Sequence, residues 1–219
     1  SSELRTLGHE VMLISLRSAN YYSELTQGSV QIANASVYYS LLASDQIITD
    51  GYESIVDEFK PDIIHSHLVD SELVSRHNPR KDVAYITHWH GCPSLTNPVP
   101  FAERFNREYA WKWNTKRRLL QNYQVCSNHF LCISEFIQKY VKENLSAEES
   151  ETTVIHNAID LSRFRPIETK KKGGFRLISI GSLQKNKNHM FLFGVIKKLL
   201  ETGLNDVYLD IYGEGPEHD

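Results

Sequence analysis

The chain has 219 residues, of which 41% are apolar and 23% charged, with a net charge of −3. This composition belongs to one or two globular domains and excludes wholesale disorder. The slight acid excess argues against wrapping nucleic acid, and no apolar run approaches the roughly 18 residues of a membrane-spanning helix.

No basic start followed by an apolar stretch marks a signal peptide. Cys92, Cys126 and Cys132 show no metal-ligand spacing, which predicts reduced thiols in a cytoplasmic protein. Cys126 and Cys132 flank an apolar run and read as small core residues. Because the chain starts at Ser1 and stops just after Gly213-Glu214-Gly215-Pro216, it is expected to be a piece of a longer protein.

In chain order, Gly8-His9-Glu10 ends a helix, and Val11 to Leu16 is a buried strand. Gln46 to Phe59 carries apolar residues at helical period, and Lys60-Pro61 stops that helix. Asp62 to His67 is a short strand and the loop after it. Val83 to Thr87 is another strand, leading into His88-Trp89-His90-Gly91. Phe101 to Tyr123 has no Gly or Pro and predicts a long helix. Phe130 to Ile133 is a strand, Ser134 caps a helix over Glu135 to Leu145, and Val154 to His156 is a strand. Lys170-Lys171-Lys172-Gly173-Gly174 reads as a flexible linker. A strand (Phe175 to Ile180), an amphipathic helix and a strand (Val207 to Tyr212) follow as one βαβ unit.

This alternation predicts an α/β fold with parallel sheets. The expected domains are residues 1–168 and 169–219, the second represented by its opening βαβ unit.

Three groups of residues could carry chemistry. Gly181 and Gly213 each follow a strand and should share the carboxyl edge of one sheet, where ligands bind. Lys185 and Lys187 precede a helix start, which favours anions such as a diphosphate. Second, His65 and His67 are alternate residues, as are His88 and His90, so each pair can share a sheet face. They suit metal ligands, substrate contacts or polar lining of the edge. Third, Phe101 to Arg118 mixes aromatics with Arg104, Arg107, Lys112, Lys116, Arg117 and Arg118. That helix can pack its aromatics inward or lie on an anionic membrane surface.

Taken together, Leu7-Gly8-His9-Glu10-Val11, Lys60-Pro61-Asp62-Ile63-Ile64-His65-Ser66-His67, His90-Gly91, Cys132-Ile133-Ser134-Glu135, Val154 to Asp160 with Phe164 and Pro166, Gly181-Ser182-Leu183 with Lys187-Asn188-His189, and Tyr212 to Pro216 form an ordered series. The series resembles glycosyltransferase family 4, the retaining sugar transferases of the GT-B fold. The resemblance implies two Rossmann-like domains facing each other across a cleft. It implies a nucleotide-sugar donor, a glycan or lipid-linked acceptor, and no metal or cofactor.

Under that resemblance His90 approaches the transferred sugar as the catalytic residue. His88 and His67 line the substrate site, and Lys187, Lys185, Gly181, Ser182 and Gly213 hold the nucleotide. Asn157 to Asp160 would be structural, leading to a hinge. Two departures stand out: Ser182 occupies a position where the family often has Arg, and Ala158 one where it usually has Gly. The family's first strand and its later pair of glutamates are expected outside Ser1–Asp219, so the chain by itself is expected to be inactive. The implied setting is bacterial surface polysaccharide or glycolipid assembly, at the inner face of the cell membrane. The rival readings are a metal-dependent hydrolase using the His-x-His pairs and a non-catalytic nucleotide-sugar-binding protein of the same fold.

Overall fold

A computed structural model of the chain describes residues 2–16, 30–33, 35–38, 46–91, 107–166 and 173–217. They fall into two compact units, Ser1–Ala158 and Ile159–Asp219. The domain boundary expected at residues 168 and 169, and the lysines of the expected linker, lie outside the described residues, as do Cys92 and residues 101–106.

The first unit opens with α1 (Ser2–Thr6), closed by Gly8 at φ +89°, a conformation that costs glycine little. Strand β1 (Leu13–Ser15) pairs in parallel with β2 (Val30–Ile32). Strands β3 (Ser36–Tyr38) and β4 (Gln46–Ile48) form a separate antiparallel pair. The helix expected from Gln46 therefore starts later, as α2 (Asp50–Phe59). Ile47, Ile48 and Thr49 are β-branched and take the extended backbone more readily than the helical one. Helix α2 buries Tyr52 and Val56, one turn apart, and ends at Lys60 with φ +50°, just before Pro61.

Strands β5 (Ile63–His67), β6 (Ala84–Trp89), β7 (Asn128–Cys132) and β8 (Thr152–Val154) form a parallel four-stranded sheet in that order. The intervening helices are α3 (Val69–Ser75), α4 (Arg107–Val125) and α5 (Glu135–Leu145). Helix α5 has the predicted bounds. Ser134 caps it, its Oγ accepting from the Ile137 amide at 3.3 Å, a contact worth about 1 kcal/mol. Every fourth residue of α5, at Ile137, Val141 and Leu145, packs on Trp89, Phe130 and Cys132 of the sheet. A second cluster joins Ala33, Ala35, Tyr52, Val56 and Val74, with Ile14 and Ile64 against it.

Side-chain alternation divides the sheet's two faces. Ser66, Tyr85, Thr87, Trp89, Phe130 and Cys132 are buried on one, while Ile63, His65 and His67 are exposed on the other. Cys126, just after α4, is half-buried. In α4, Leu119 and Thr115 are buried and Leu119 packs with Leu73 of α3, whereas Trp113 is exposed with the Arg117 guanidinium 5.1 Å above its ring. Along this part of the aromatic, basic helix one side packs inward; Arg117 is exposed, Lys112, Lys116 and Arg118 are half-buried, and Arg118 Nη1 is buried.

In the second unit, β9 (Phe175–Ile180), α6 (His189–Glu201) and β10 (Val207–Tyr212) form the expected βαβ unit, its strands parallel in the register Phe175↔Val207 to Ile180↔Tyr212. Gly203, at φ +89°, follows the end of α6.

Candidate functional site

Both His-x-His pairs lie at the carboxyl ends of neighbouring strands. The register sets His67 beside His88, so all four imidazoles share one sheet face. They stack: ring centroids are 4.5 Å apart for His65 and His67, 4.9 Å for His67 and His88, and 4.3 Å for His88 and His90. His67 Nδ1 and His90 Nε2 are 2.8 Å apart and hydrogen-bonded, one ring donating according to its tautomer. Strands β5 and β6 extend further than expected, through His67 and Trp89, which is what brings the rings into contact. Partial burial and the mutual repulsion of imidazolium charges lower the pKa of His65 and His88, and that of His67 to about 4. At neutral pH these rings are uncharged and can donate or accept hydrogen bonds. Nitrogens of His65, His67 and His88 lie within 4.8 Å of one another, a donor set suited to a metal ion.

Behind the other face lies a buried polar network that the sequence did not disclose. Arg76 is fully buried and meets Glu72, one helical turn earlier, at 3.1 Å. Its guanidinium also donates to Ser66, Ser75 and Thr87 at 3.0–3.1 Å and to Asn128, and it sits 5.0 Å from the centroid of the Tyr85 ring. Glu72 Oε2 accepts from the Thr87 hydroxyl at 2.8 Å and from the Tyr123 hydroxyl at 3.2 Å. Burial outweighs the nearby guanidinium and pushes the Glu72 carboxyl up to about 7. The network ties α3 to β5, β6, β7 and α4, and so fixes the ends of the strands that carry the histidines.

Above it opens a cavity of about 320 Å³, lined by Leu68, Val69 and Glu72 on the β5–α3 side, by Thr87 to Gly91, and by Leu119 of α4. His88 and His90 form part of its wall. Its size lies at the lower end of ligand pockets.

In the second unit, the loops after β9 and β10 are joined backbone to backbone. The Gly181 amide donates to the Tyr212 carbonyl at 2.9 Å and the Leu183 amide to the Glu214 carbonyl at 3.0 Å. A Cβ on Gly213 would lie 1.9 Å from the Gly181 oxygen, so this approach requires glycine. The Lys187 stem runs beside Gly181, with Cε 3.9 Å from where a Cβ on that glycine would be. Lys185 and Lys187 occupy a 3-10 turn, Lys185–Lys187, and α6 begins only at His189, after Asn188 at φ +50°. The lysines thus precede the helix in a turn of their own. His189 Nε2 lies 3.3 Å from the Ser182 carbonyl, linking the helix start to the loop.

The family model of glycosyltransferase family 4 matches residues 1–163. The chain belongs to glycosyltransferase family 4. Among solved structures, it is similar to a glycosyltransferase from Rickettsia africae ESF-5, at 14% identity and a TM-score of 0.54. That match covers 98% of this chain and 62% of the other, so the chain spans less than two thirds of that protein's length. At this identity the likeness establishes the fold, a Rossmann-like α/β arrangement. No curated protein matches the chain.

Within this family-4 chain, the structure gathers His67, His88 and His90 at one sheet edge, with His65 beside them. It gathers Gly181, Ser182, Lys187 and Gly213 at another, with Lys185 in the adjoining turn. Glu72, Arg76 and Trp89 escaped the sequence reading. The signal was present in Glu72 and Arg76, an acid and a base four residues apart, the first inside a seven-residue helix and the second capping its end.

Proposed function

We propose that the protein is a retaining glycosyltransferase that moves a hexose from a nucleotide-sugar to an acceptor hydroxyl. Family membership supports the reaction class. One geometric observation carries the site: two glycine loops interlocked at the carboxyl edge of β9 and β10, with the Lys187 stem alongside. Gly213 permits the close approach of the two loops, and Lys187 and Lys185 supply positive charge beside them. In this reading they hold the donor diphosphate and stabilise the charge it gains on leaving, so the reaction calls for neither metal nor cofactor. Ser182, standing in place of a common family Arg, leaves more of that load on the lysines.

His90 is assigned to the transferred sugar, with His88 and His67 beside it on the substrate side. The neutral imidazoles of His67 and His88 suit hydroxyl groups, and the His67–His90 hydrogen bond holds both rings in place. The acceptor is a glycan or a lipid-linked glycan, and the setting is bacterial surface polysaccharide or glycolipid assembly at the inner face of the cell membrane. Among the described residues no helix is long and apolar enough to cross a membrane. The exposed Arg117 and Trp113 of α4 suit peripheral contact with anionic lipid, which co-sedimentation with anionic vesicles at low and high salt would test.

The test of the main reading is a donor screen on the full-length protein, with released nucleoside diphosphate as the signal. Release from one sugar nucleotide, dependent on an acceptor, is expected. A metal-dependent hydrolase is favoured by one observation, the three-histidine donor set at His65, His67 and His88. Stoichiometric metal in the purified protein, together with a silent donor screen, would select it.

A further inference from the structure

We propose that His65, His67 and His88 form a binding site for a divalent transition-metal ion, with Zn²⁺ as its reference, and that occupation of the site switches sugar transfer off. The inhibition rests on the transferase reading above; the binding site does not. The ligands come from neighbouring strands. His65 and His67 are alternate residues of β5, and His88 of β6 lies opposite His67 in the register. Each offers one nitrogen, and the three nitrogens lie within 4.8 Å of one another. In a tetrahedral site with Zn–N bonds of about 2.0–2.1 Å, ligand nitrogens are about 3.4 Å apart. His65 and His67 are exposed, so their rings can turn about χ1 and χ2 to close that difference. A second observation points the same way. Both ring nitrogens of His88 are buried, and neither has a hydrogen-bond partner among the described residues. Leaving a polar atom unpaired out of water is costly, and a metal ion takes up the free lone pair of an imidazole.

The donor set selects the ion. Three imidazoles without a carboxylate suit ions that favour nitrogen, such as Zn²⁺, whereas Mg²⁺ and Ca²⁺ take oxygen ligands. The positive charge of Arg76 reaches His65, but Glu72 meets that guanidinium at 3.1 Å and offsets it when ionised. Inhibition follows from the hydrogen bond between His67 Nδ1 and His90 Nε2. An ion on His67 Nε2 fixes the proton on Nδ1, so His90 Nε2 is occupied as its acceptor. An ion on His67 Nδ1 displaces His90 instead. In both cases the ion withdraws His67 and His88 from the substrate side and changes the pairing that sets His90.

The test uses the full-length protein, stripped with a chelator and titrated with zinc chloride by calorimetry at pH 8, where a Glu72 carboxyl with a pKa of about 7 is mostly ionised. One Zn²⁺ per chain should bind, Mg²⁺ should not, and Co²⁺ should give the strong visible bands of a tetrahedral ion. Losing a partner of a metal ligand lowers affinity about 10- to 100-fold, so losing a ligand in His65→Ala should weaken Zn²⁺ at least about ten-fold and remove the cobalt bands. His65 is exposed and is not among the groups assigned to the substrate. The variant should therefore keep its release of nucleoside diphosphate and resist Zn²⁺, which inhibits wild type. That resistance also separates this site from zinc held by the donor diphosphate. His129, set apart from His65 on this face by Ile86, supplies a control: His129→Ala should bind Zn²⁺ like wild type. The proposal is overturned if Zn²⁺ does not bind, if His65→Ala binds it like wild type, or if Zn²⁺ fills the site without slowing turnover. Failure of the transferase reading looks different: Zn²⁺ binds and His65→Ala loses it, while no sugar nucleotide yields nucleoside diphosphate with or without the chelator. The metal site then stands and the inhibition falls.

Discussion

Replacing Arg76 by Met keeps most of the apolar stem and deletes the guanidinium at the centre of the buried network. Five side chains lose a partner: Glu72, Ser66, Ser75, Thr87 and Asn128. The dominant cost is the Glu72 carboxylate, left buried without its cation, and removing one member of such a pair costs about 3–5 kcal/mol. With a urea dependence of about 2 kcal/mol/M, the unfolding midpoint should fall by roughly 1.5–2.5 M. The loss should be smaller at pH 5.5, where a carboxyl whose pKa lies near 7 is mostly protonated and needs no counter-charge. Adding Glu72→Gln to Arg76→Met should restore a large part of the stability, because the orphaned charge disappears. Urea titrations of the two single variants and the double variant, at pH 5.5 and pH 8, form the assay. Losses that simply add, and that do not depend on pH, would refute the view that this pair is electrostatically coupled.

Four further outcomes follow from particular groups. Glu72 binds its proton more tightly folded than unfolded, so its contribution to stability declines as pH rises from about 4.5 to about 7, by about 3 kcal/mol in all. His67 acts in the opposite sense: its lowered pKa gives stability that is present above about 6.5 and lost as pH falls toward 4, so urea midpoints of Glu72→Gln across this range should show the histidine limb alone. His90→Ala in the full-length protein should lower turnover far more than nucleotide affinity, and unchanged turnover in a stable variant would remove His90 from the chemistry. Gly213→Ala places a methyl 1.9 Å from the Gly181 oxygen, so the two loops must part; nucleoside diphosphate affinity should drop at least ten-fold by calorimetry while unfolding of the first unit stays unchanged.

Much of this architecture could be read from periodicity and punctuation. The Ser134 cap marked α5, which has the expected bounds, and Phe175–Ile180 and Val207–Tyr212 came out with their observed bounds. Where the reading erred, a local signal had been overridden. The apolar period from Gln46 looked helical, yet Ile47 and Ile48 pair with Val37 and Ser36 in a ladder whose partner lies ten residues upstream. Strands Val30–Ile32 and Ser36–Tyr38 are three residues long, too short for alternation to register. The histidines and strand-end glycines were legible because parallel strands deliver their carboxyl ends to one edge. The Glu72–Arg76 network was not, because its partners Ser66, Thr87, Tyr123 and Asn128 come from four separate segments. Only tertiary packing assembles them.

The glycine loops of the second unit are assigned as the diphosphate site, and calorimetric titration of the full-length protein with nucleoside diphosphates is the decisive test of that assignment. Lys187→Ala removes the ammonium whose stem lies beside Gly181, a charge-assisted contact worth about 1.5–3 kcal/mol, so affinity should fall about 10- to 150-fold. Lys185→Ala, in the same turn, should have a milder effect. Wild-type affinity in Lys187→Ala with a loss in Lys185→Ala would reassign the ligand to Lys185, and wild-type affinity in both would show that this loop does not bind the donor.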